Sequence, residues 1–542
     1  MRNVRIRPLL AATLAMTALV AAACGSGSTP ASDGTGDGGG DREGPLVVNI
    51  LGAPTTLDPA AACGVNDMHL ADNLYARLVD YATLPGPAEG TTTFDPSSFE
   101  PSLAKSWEIS DDGLVYTFTL PDGLTFPSGE PLDAAAVKYS LDRTQAMGLC
   151  GNRYLNDQFV DPPLISSIEA VEPTVLRITL RQPNQNFLQA LAQPAAAVVD
   201  PQVIEANGGI VEGAANEYFA NHSAGATGPF VLEEYEPGRS ATLVANPDFY
   251  GDPPASERIE VNFITDTSTM LLQARNGTAD VTVGISKAAA RSLEEDPCCT
   301  VVPFSSALAL DIALNWEFEP FANPLVREAL TYAFPYEDML ASVGHGYGEP
   351  FYGPLAPDMP GFNPDLSEQR PYDPDRARQL LEDSGVTLPL QFELSIPAGQ
   401  EELAEFATAV QSVLAEIDVA VTIREIPPAE RAAILDSGAY DAIVIAGGPA
   451  MVDAGYFLAY DMSCESPANI TGICVPEADE NWALARQTLD ETERQGHWDA
   501  VMQAWVAASP KLKFWSIPAM VVIDESMTSV HYAIHPNFYS WK

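Results

Sequence analysis

At 542 residues the chain is long enough for more than one hydrophobic core, and 46% hydrophobic with 8% aromatic residues is a globular composition. With 74 acidic residues against 27 basic ones, a formal charge of −47 excludes nucleic acid as a partner, because phosphate binding needs clustered Lys and Arg. The acids are spread along the chain and read as a solvated surface that keeps the body soluble and off anionic membranes.

Arg2, Arg5 and Arg7 precede an uncharged apolar run of 15 residues from Leu9 to Ala23, too short to span a bilayer. This is the layout of a signal peptide over residues 1–23. Ala21-Ala22-Ala23-Cys24-Gly25 resembles a lipobox, in which Cys24 is lipidated and becomes the first residue; Ala21 stands where Leu is usual, and ordinary Ala-x-Ala cleavage is the alternative. Residues 24–44 are rich in Gly, Ser and Asp and read as a flexible tether. The expected product is an exported monomer, attached by lipid to the outer face of the cell membrane or to its periplasmic side. Six cysteines then remain, and an even number outside a reducing compartment favours disulfides. The expected pairs are Cys464 with Cys474, Cys63 with Cys150, and a vicinal Cys298 with Cys299. A zinc site is the rival, but neither Cys-x-x-Cys nor a companion His is present.

Leu46 to Leu51 reads as a strand, Pro54 to Pro59 as a turn, and the region near His69 to Val79 as a helix. Trp107 to Leu120 carries a hairpin pattern, with Asp112-Gly113 at the turn and Tyr116, Phe118 and Leu120 on one face. Further strands are expected at Ile165–Val171, Val175–Leu180, Phe230–Tyr235, Ala241–Ala245 and Ile259–Phe263. From about Leu308 helices alternate with strands. Leu403, Phe406, Ala407, Val410, Val413, Leu414 and Ile417 share one helical face. A strand over Val419–Ile423, a helix from Ala429, a strand over Ala442–Ile445 and a last strand over Phe514–Ile523 follow. The series argues for an α/β lobe.

Catalytic signatures are missing: there is no Gly-x-Ser-x-Gly, His-Glu-x-x-His, EF-hand, Walker or Gly-x-Gly-x-x-Gly motif. His531 and His535 lie four apart, but Val530 to Pro536 reads as a strand and a turn, so neither a metal nor a cofactor is expected.

The run from Glu100 to Phe126, continuing through Ser128 to Arg143, resembles the signature of the family 5 extracellular solute-binding proteins, the peptide- and nickel-type receptors of ABC importers. Thr56-Leu-Asp-Pro59, Gly228-Pro-Phe-Val231, Asn246-Pro-Asp-Phe-Tyr250, Asn315, Pro324 to Leu330 and Tyr372 to Leu381 resemble other family segments, in the family's order. The resemblance implies an α/β, two-lobed periplasmic-binding-protein-like fold with an enlarged first lobe, mixed sheets with flanking helices and a hinge. It divides the chain into lobe I at 45–303, with an extra subdomain at about 80–225, lobe II at 304–512, and a return to lobe I at 513–542. It implies capture of a peptide or similar small polar solute without chemical conversion, and delivery to ABC permease subunits served by cytoplasmic ATPases. A lipid-anchored hydrolase and a sensor uncoupled from transport are the alternatives.

Most of these motifs hold the fold; Trp107, Tyr116, Phe118 and Phe126 are expected in the core. The loop Ala446 to Phe457 departs from the peptide-receptor pattern. Asp453 matches the second of two acidic residues there, but Gly447 stands at the Trp position and Ala450 at the position of the Asp that pairs with a peptide's α-ammonium. A buried ammonium needs a compensating carboxylate. The expected ligand-binding residues are therefore Asn315, Trp316, Asp453 and Tyr456, with Asp453 equally suited to capping the helix that follows it.

Overall fold

The computed structural model describes residues 44–542 except 295, 297, 358, 449, 450, 465, 467 and 468. The signal peptide, Cys24 and the tether before Gly44 lie outside the described residues, as does Ala450.

A ten-stranded sheet organises the body, in the order Val419–Ile426, Leu390–Pro397, Ala442–Gly447, Cys299–Leu314, Lys511–Asp524, Val281–Val283, Leu46–Leu51, Arg258–Ile264, Ser240–Ala245 and Phe230–Glu236. Its two long middle strands, Cys299–Leu314 and Lys511–Asp524, run antiparallel to each other. Their register slips between Phe304 and Leu308, where Ala307 takes a left-handed backbone (φ 53°) and the Ser306 hydroxyl donates to the Ile517 carbonyl. An alanine there costs about 1 kcal/mol against an extended one, so the break is held by its surroundings.

The break also separates two cores. On one side Val302, Phe304, Val521 and Ile523 pack with Val48, Leu70 and Val261; on the other Leu310, Ile312, Leu512 and Phe514 pack with Leu330, Phe406 and Val410. Two strands shared by two cores, with an irregular joint between them, make a two-lobed α/β body with a hinge. Where they pass through the second core, Asp311, Lys511 and Lys513 are buried with Asp461 from the helix Ala454–Asp461. Lys513 Nζ lies 2.8 Å from Asp311 Oδ2, and Lys511 Nζ 2.5 Å from Asp461 Oδ1.

The strongest sequence signature forms a compact piece of this architecture. The hairpin strands Ser106–Ile109 and Val115–Thr119 turn at Gly113, which takes φ 69° as a left-handed turn position requires, and join Val175–Leu180 and Ile165–Glu172 in a four-stranded sheet. Leu176, Ile178 and Leu180 are buried while the residues between them are not, so the alternation read from sequence is the inner face of this sheet. The helix Ala134–Met147 opens with Asp133 accepting from the Ala135 and Ala136 amides and closes at left-handed Gly148. From it, Arg143 makes a two-pronged ion pair to Asp58, at 2.9 and 2.5 Å with both side chains 1% exposed. The motif Thr56-Leu-Asp-Pro59 thus meets the end of the long signature in the interior. Tyr116, Phe118 and Phe126 are core residues, and Trp107 packs against that core.

One expected element is corrected. The helix near His69 to Val79 runs instead from Val65 to Leu74. Tyr75 is extended, the Ala76 amide donates to Thr227 Oγ1 and its carbonyl accepts from the Val198 amide, so the chain is already bound in extended form before Val79 opens the strand Val79–Pro85.

Disulfides join Cys63 to Cys150 and Cys464 to Cys474. The expected Cys298–Cys299 bond is not formed: both are free thiols with Sγ atoms 2.7 Å apart. Neighbouring Cα atoms are about 3.8 Å apart, inside the 4.4 Å at which ordinary disulfides begin. The Cys63–Cys150 bridge closes a loop with a sequence separation of 87. Replacing both residues by serine is expected to lower stability by roughly 4.6 kcal/mol on the chain-entropy scale, against roughly 3 kcal/mol for the Cys464–Cys474 pair. Urea midpoints of the two double variants check the ordering.

Candidate functional site

A crevice of about 580 Å³ opens between the segment Asn152–Pro163 and a wall made of Leu435, Asp436, Tyr460 and Ile470. Arg153, Asp157, Gln158, Asp436 and Tyr460 give it a polar lining, and the Gln158 amide donates to the Tyr460 hydroxyl across it at 3.3 Å. Tyr460 reaches the crevice from the helix Ala454–Asp461, one turn beyond Tyr456. Asp453 caps that helix, its Oδ1 accepting from the Tyr456 amide at 3.1 Å.

Phe159 is the centre of an aromatic cluster behind the crevice. Its ring meets Tyr456 at 5.1 Å, Trp482 at 5.8 Å and Tyr460 at 6.3 Å, all edge to face. The Arg486 guanidinium lies 4.4 Å from the centre of the Trp482 ring and forms a buried ion pair with Asp157, their side chains 5% and 4% exposed. Burial draws the Arg486 pKa down to about 9, which leaves it charged at neutral pH. Asp157 accepts a further hydrogen bond from Asn184 at 2.8 Å and sits in the left-handed region with φ 54°. Beside this pair, Gln189 donates to the Val452 carbonyl at 2.9 Å. The segments 150–190 and 451–486 are therefore tied by one ion pair, several hydrogen bonds and an aromatic cluster.

Of the four residues expected to bind ligand, the structure brings two together. Asp453 and Tyr456 lie at this junction, buried at 3% and 1% exposure, with the Tyr456 hydroxyl donating to the Arg153 carbonyl at 3.4 Å. Asn315 and Trp316 stand apart. Asn315 Nδ2 donates to the Gly438 and Tyr440 carbonyls and its Oδ1 accepts from the Glu317 amide, so its hydrogen-bonding capacity is engaged by the backbone. Trp316 packs under Arg327, whose guanidinium lies 4.0 Å from the centre of its ring. Asn315 thereby supports the turn at 438–440, next to the Leu435–Asp436 wall. Asp157, Phe159, Trp482 and Arg486 were not read from sequence; the only local signal was a set of aromatic and charged residues without a periodic place.

Asp453 has an electrostatic consequence. Burial raises its pKa to about 6, against which the Tyr456 and Gly455 amides and Asn186 act more weakly. An acid whose folded pKa lies above its unfolded value binds more protons when folded, so the contribution of Asp453 to stability is greatest below about pH 4, falls from about pH 4 to 6 and is level above. The fall is on the order of 3 kcal/mol. Asp453→Asn keeps the cap and is expected to raise stability at pH 7 by about 2 kcal/mol while removing that slope. Urea midpoints from pH 3.5 to 7.5 decide it, and an unchanged slope would refute the assignment.

Residues 98–469 match the family described as bacterial extracellular solute-binding proteins, family 5 Middle. The chain belongs to that family. This family 5 solute-binding protein is 29% identical over 469 residues to di/tripeptide-binding protein 2 of Pseudomonas aeruginosa strain UCBPP-PA14, covering 83% of this chain and 85% of that one. It is 30% identical over 393 residues to the glutathione-binding protein GsiB of Salmonella paratyphi A, covering 72% and 70%. Among solved structures, NikA from Brucella suis in complex with Fe(III)-EDTA superposes with a TM-score of 0.78 at 23% identity, covering 91% of this chain and 99% of that one. Members of the family are binding proteins of transporters rather than enzymes.

Proposed function

We propose that this protein is the receptor of an ABC importer, capturing a peptide or similar small polar solute between its two lobes and delivering it to the membrane permease. The family match across residues 98–469 carries the reading, since it spans both walls of the crevice. The division at 45–303, 304–512 and 513–542 is supported by the joint at Phe304–Leu308 and by the two cores beside it. In this reading Arg153, Gln158, Asp436 and Tyr460 contact the solute, while Asp453 and Tyr456 hold the wall behind it. Cys24 carries lipid that keeps the receptor at the outer face of the membrane, with residues 25–44 as slack; no helix among the described residues is long and apolar enough to cross a membrane.

A thermal-shift screen of the mature chain against dipeptides, tripeptides, glutathione and nickel–histidine complexes tests it. A solute at 100 times its dissociation constant stabilises by about 2.7 kcal/mol. A positive class is expected, and the shift is expected to shrink in Arg153→Ala. If a well-folded preparation is stabilised by none of them while hydrolysing a chromogenic ester or peptide, the hydrolase alternative replaces this one.

A further inference from the structure

A polar contact away from the crevice crosses the joint in the two long middle strands. On one side stands the helix Lys287–Glu294, whose Ala289, Ala290 and Leu293 pack with Met520 and Val522. Those two residues pair with Pro303 and Val301, on the near side of the break at Phe304–Leu308. On the other side stands the helix Glu401–Ala415, whose Leu403, Phe406 and Val410 pack in the core that holds Leu310 and Ile312. From its first turn, Glu402 reaches across. Its Oε1 accepts from the Lys287 backbone amide at 2.9 Å, and its Oε2 lies 3.4 Å from the Lys287 ammonium.

Lys287 is the first residue of its helix, so its amide has no acceptor within that helix. A carboxylate at a helix N-terminus is also favoured by the dipole. Behind the pair the two sides are not packed together: a gap of about 120 Å³ remains, lined by Leu310, Leu403, Phe406 and Trp515 as well as by Lys287 and Glu402. Interlocked apolar surfaces part only by repacking, whereas long side chains that meet beside a gap separate by simple rotation.

We propose that Glu402 is a positioning residue for capture, a latch that ties the helix Lys287–Glu294 across the joint and weights the lobes toward the arrangement in which Gln158 and Gln189 bridge to Tyr460 and Val452. This role rests on the receptor reading, in which the lobes part at the joint to admit solute. A turn at the joint that parts the crevice walls shifts Glu402 against Lys287, and a shift of about 1 Å breaks a hydrogen bond of this length. The contact therefore adds its free energy to the closed arrangement alone.

Hydrogen exchange of the mature chain without solute, read amide by amide, tests the latch. The Gln185 amide donates to the Arg486 carbonyl across the crevice junction, so its exchange reports how often that junction parts. In the wild-type chain it is expected to exchange faster than the core amides of Val261 and Leu394, because the lobes part without unfolding. In Glu402→Ala its exchange is expected to quicken about three- to tenfold, the worth of one partly exposed charge-assisted hydrogen bond. Glu402→Gln keeps an oxygen for the Lys287 amide and is expected to restore much of the protection. Unchanged Gln185 exchange in Glu402→Ala, or wild-type exchange at Gln185 as slow as in the cores, overturns the proposal. A chain that binds no solute yet quickens at Gln185 in Glu402→Ala loses the receptor reading and keeps the latch.

Discussion

Arg486→Met is expected to destabilise the protein by about 3–5 kcal/mol, because it strands the Asp157 carboxylate in an interior that leaves it 4% exposed. The Asn184 hydrogen bond remains but carries no charge to offset it. Removing both charges, as in Asp157→Asn with Arg486→Met, is expected to recover much of the loss, since the cost lies in the unpaired ion and not in the missing pair. Equilibrium unfolding of the two single variants and the double variant forms the cycle, and a double variant as unstable as the sum of the singles would refute the pairing. The same variants bear on capture. The pair ties segments that flank opposite walls of the crevice, so Arg486→Met is also expected to weaken solute binding, read by the titration that gives the wild-type affinity.

The second large effect is expected at Lys511. Burial alone would lower its pKa, but Asp311 and Asp461 outweigh it and hold the ammonium above its ordinary range. A lysine with a raised folded pKa contributes stability that is complete below about pH 10 and lost only as pH rises through the folded value, so the effect is constant across neutral pH. Lys511→Met leaves Lys513 as the one cation for two buried carboxylates and is expected to cost about 3–5 kcal/mol. Adding Asp461→Asn to that variant is expected to restore part of it. The Trp505 indole donates to Asp461 Oδ2 at 2.8 Å, so tryptophan fluorescence reports the local change as well as unfolding. Stability that is unaltered in Lys511→Met would show that the network carries no net weight.

Legibility followed the kind of burial each segment has. Strands with one wet face, such as Val175–Leu180, printed their alternation in the sequence and were found. The hinge strand Cys299–Leu314 was not, because its second half, Ala309 to Leu314, is buried on both faces and shows no period of two. Within the site, Asp453 was visible as a cap before an apolar run, and the structure gives it that role. Asp157 and Arg486 were not, since neither has a local pattern and 329 positions separate them. Asn315 misled for a different reason: an amide at a strand end looks free to meet a ligand, yet the turn at Gly438 and Tyr440 uses both of its donor bonds.

The place of the last long strand has a consequence for the order in which the protein can be made. Lys511–Asp524 does not sit at an edge; it fills the gap between Val281–Val283 and Cys299–Leu314. Until those residues emerge from the ribosome the sheet has a slot through its middle, and neither core has its share of Leu512, Phe514, Val521 and Ile523. Completion of the fold therefore waits for nearly the whole chain, through pairings of high sequence separation that form slowly. A nascent chain that stays open until synthesis is almost finished is one that a secretion channel can still thread.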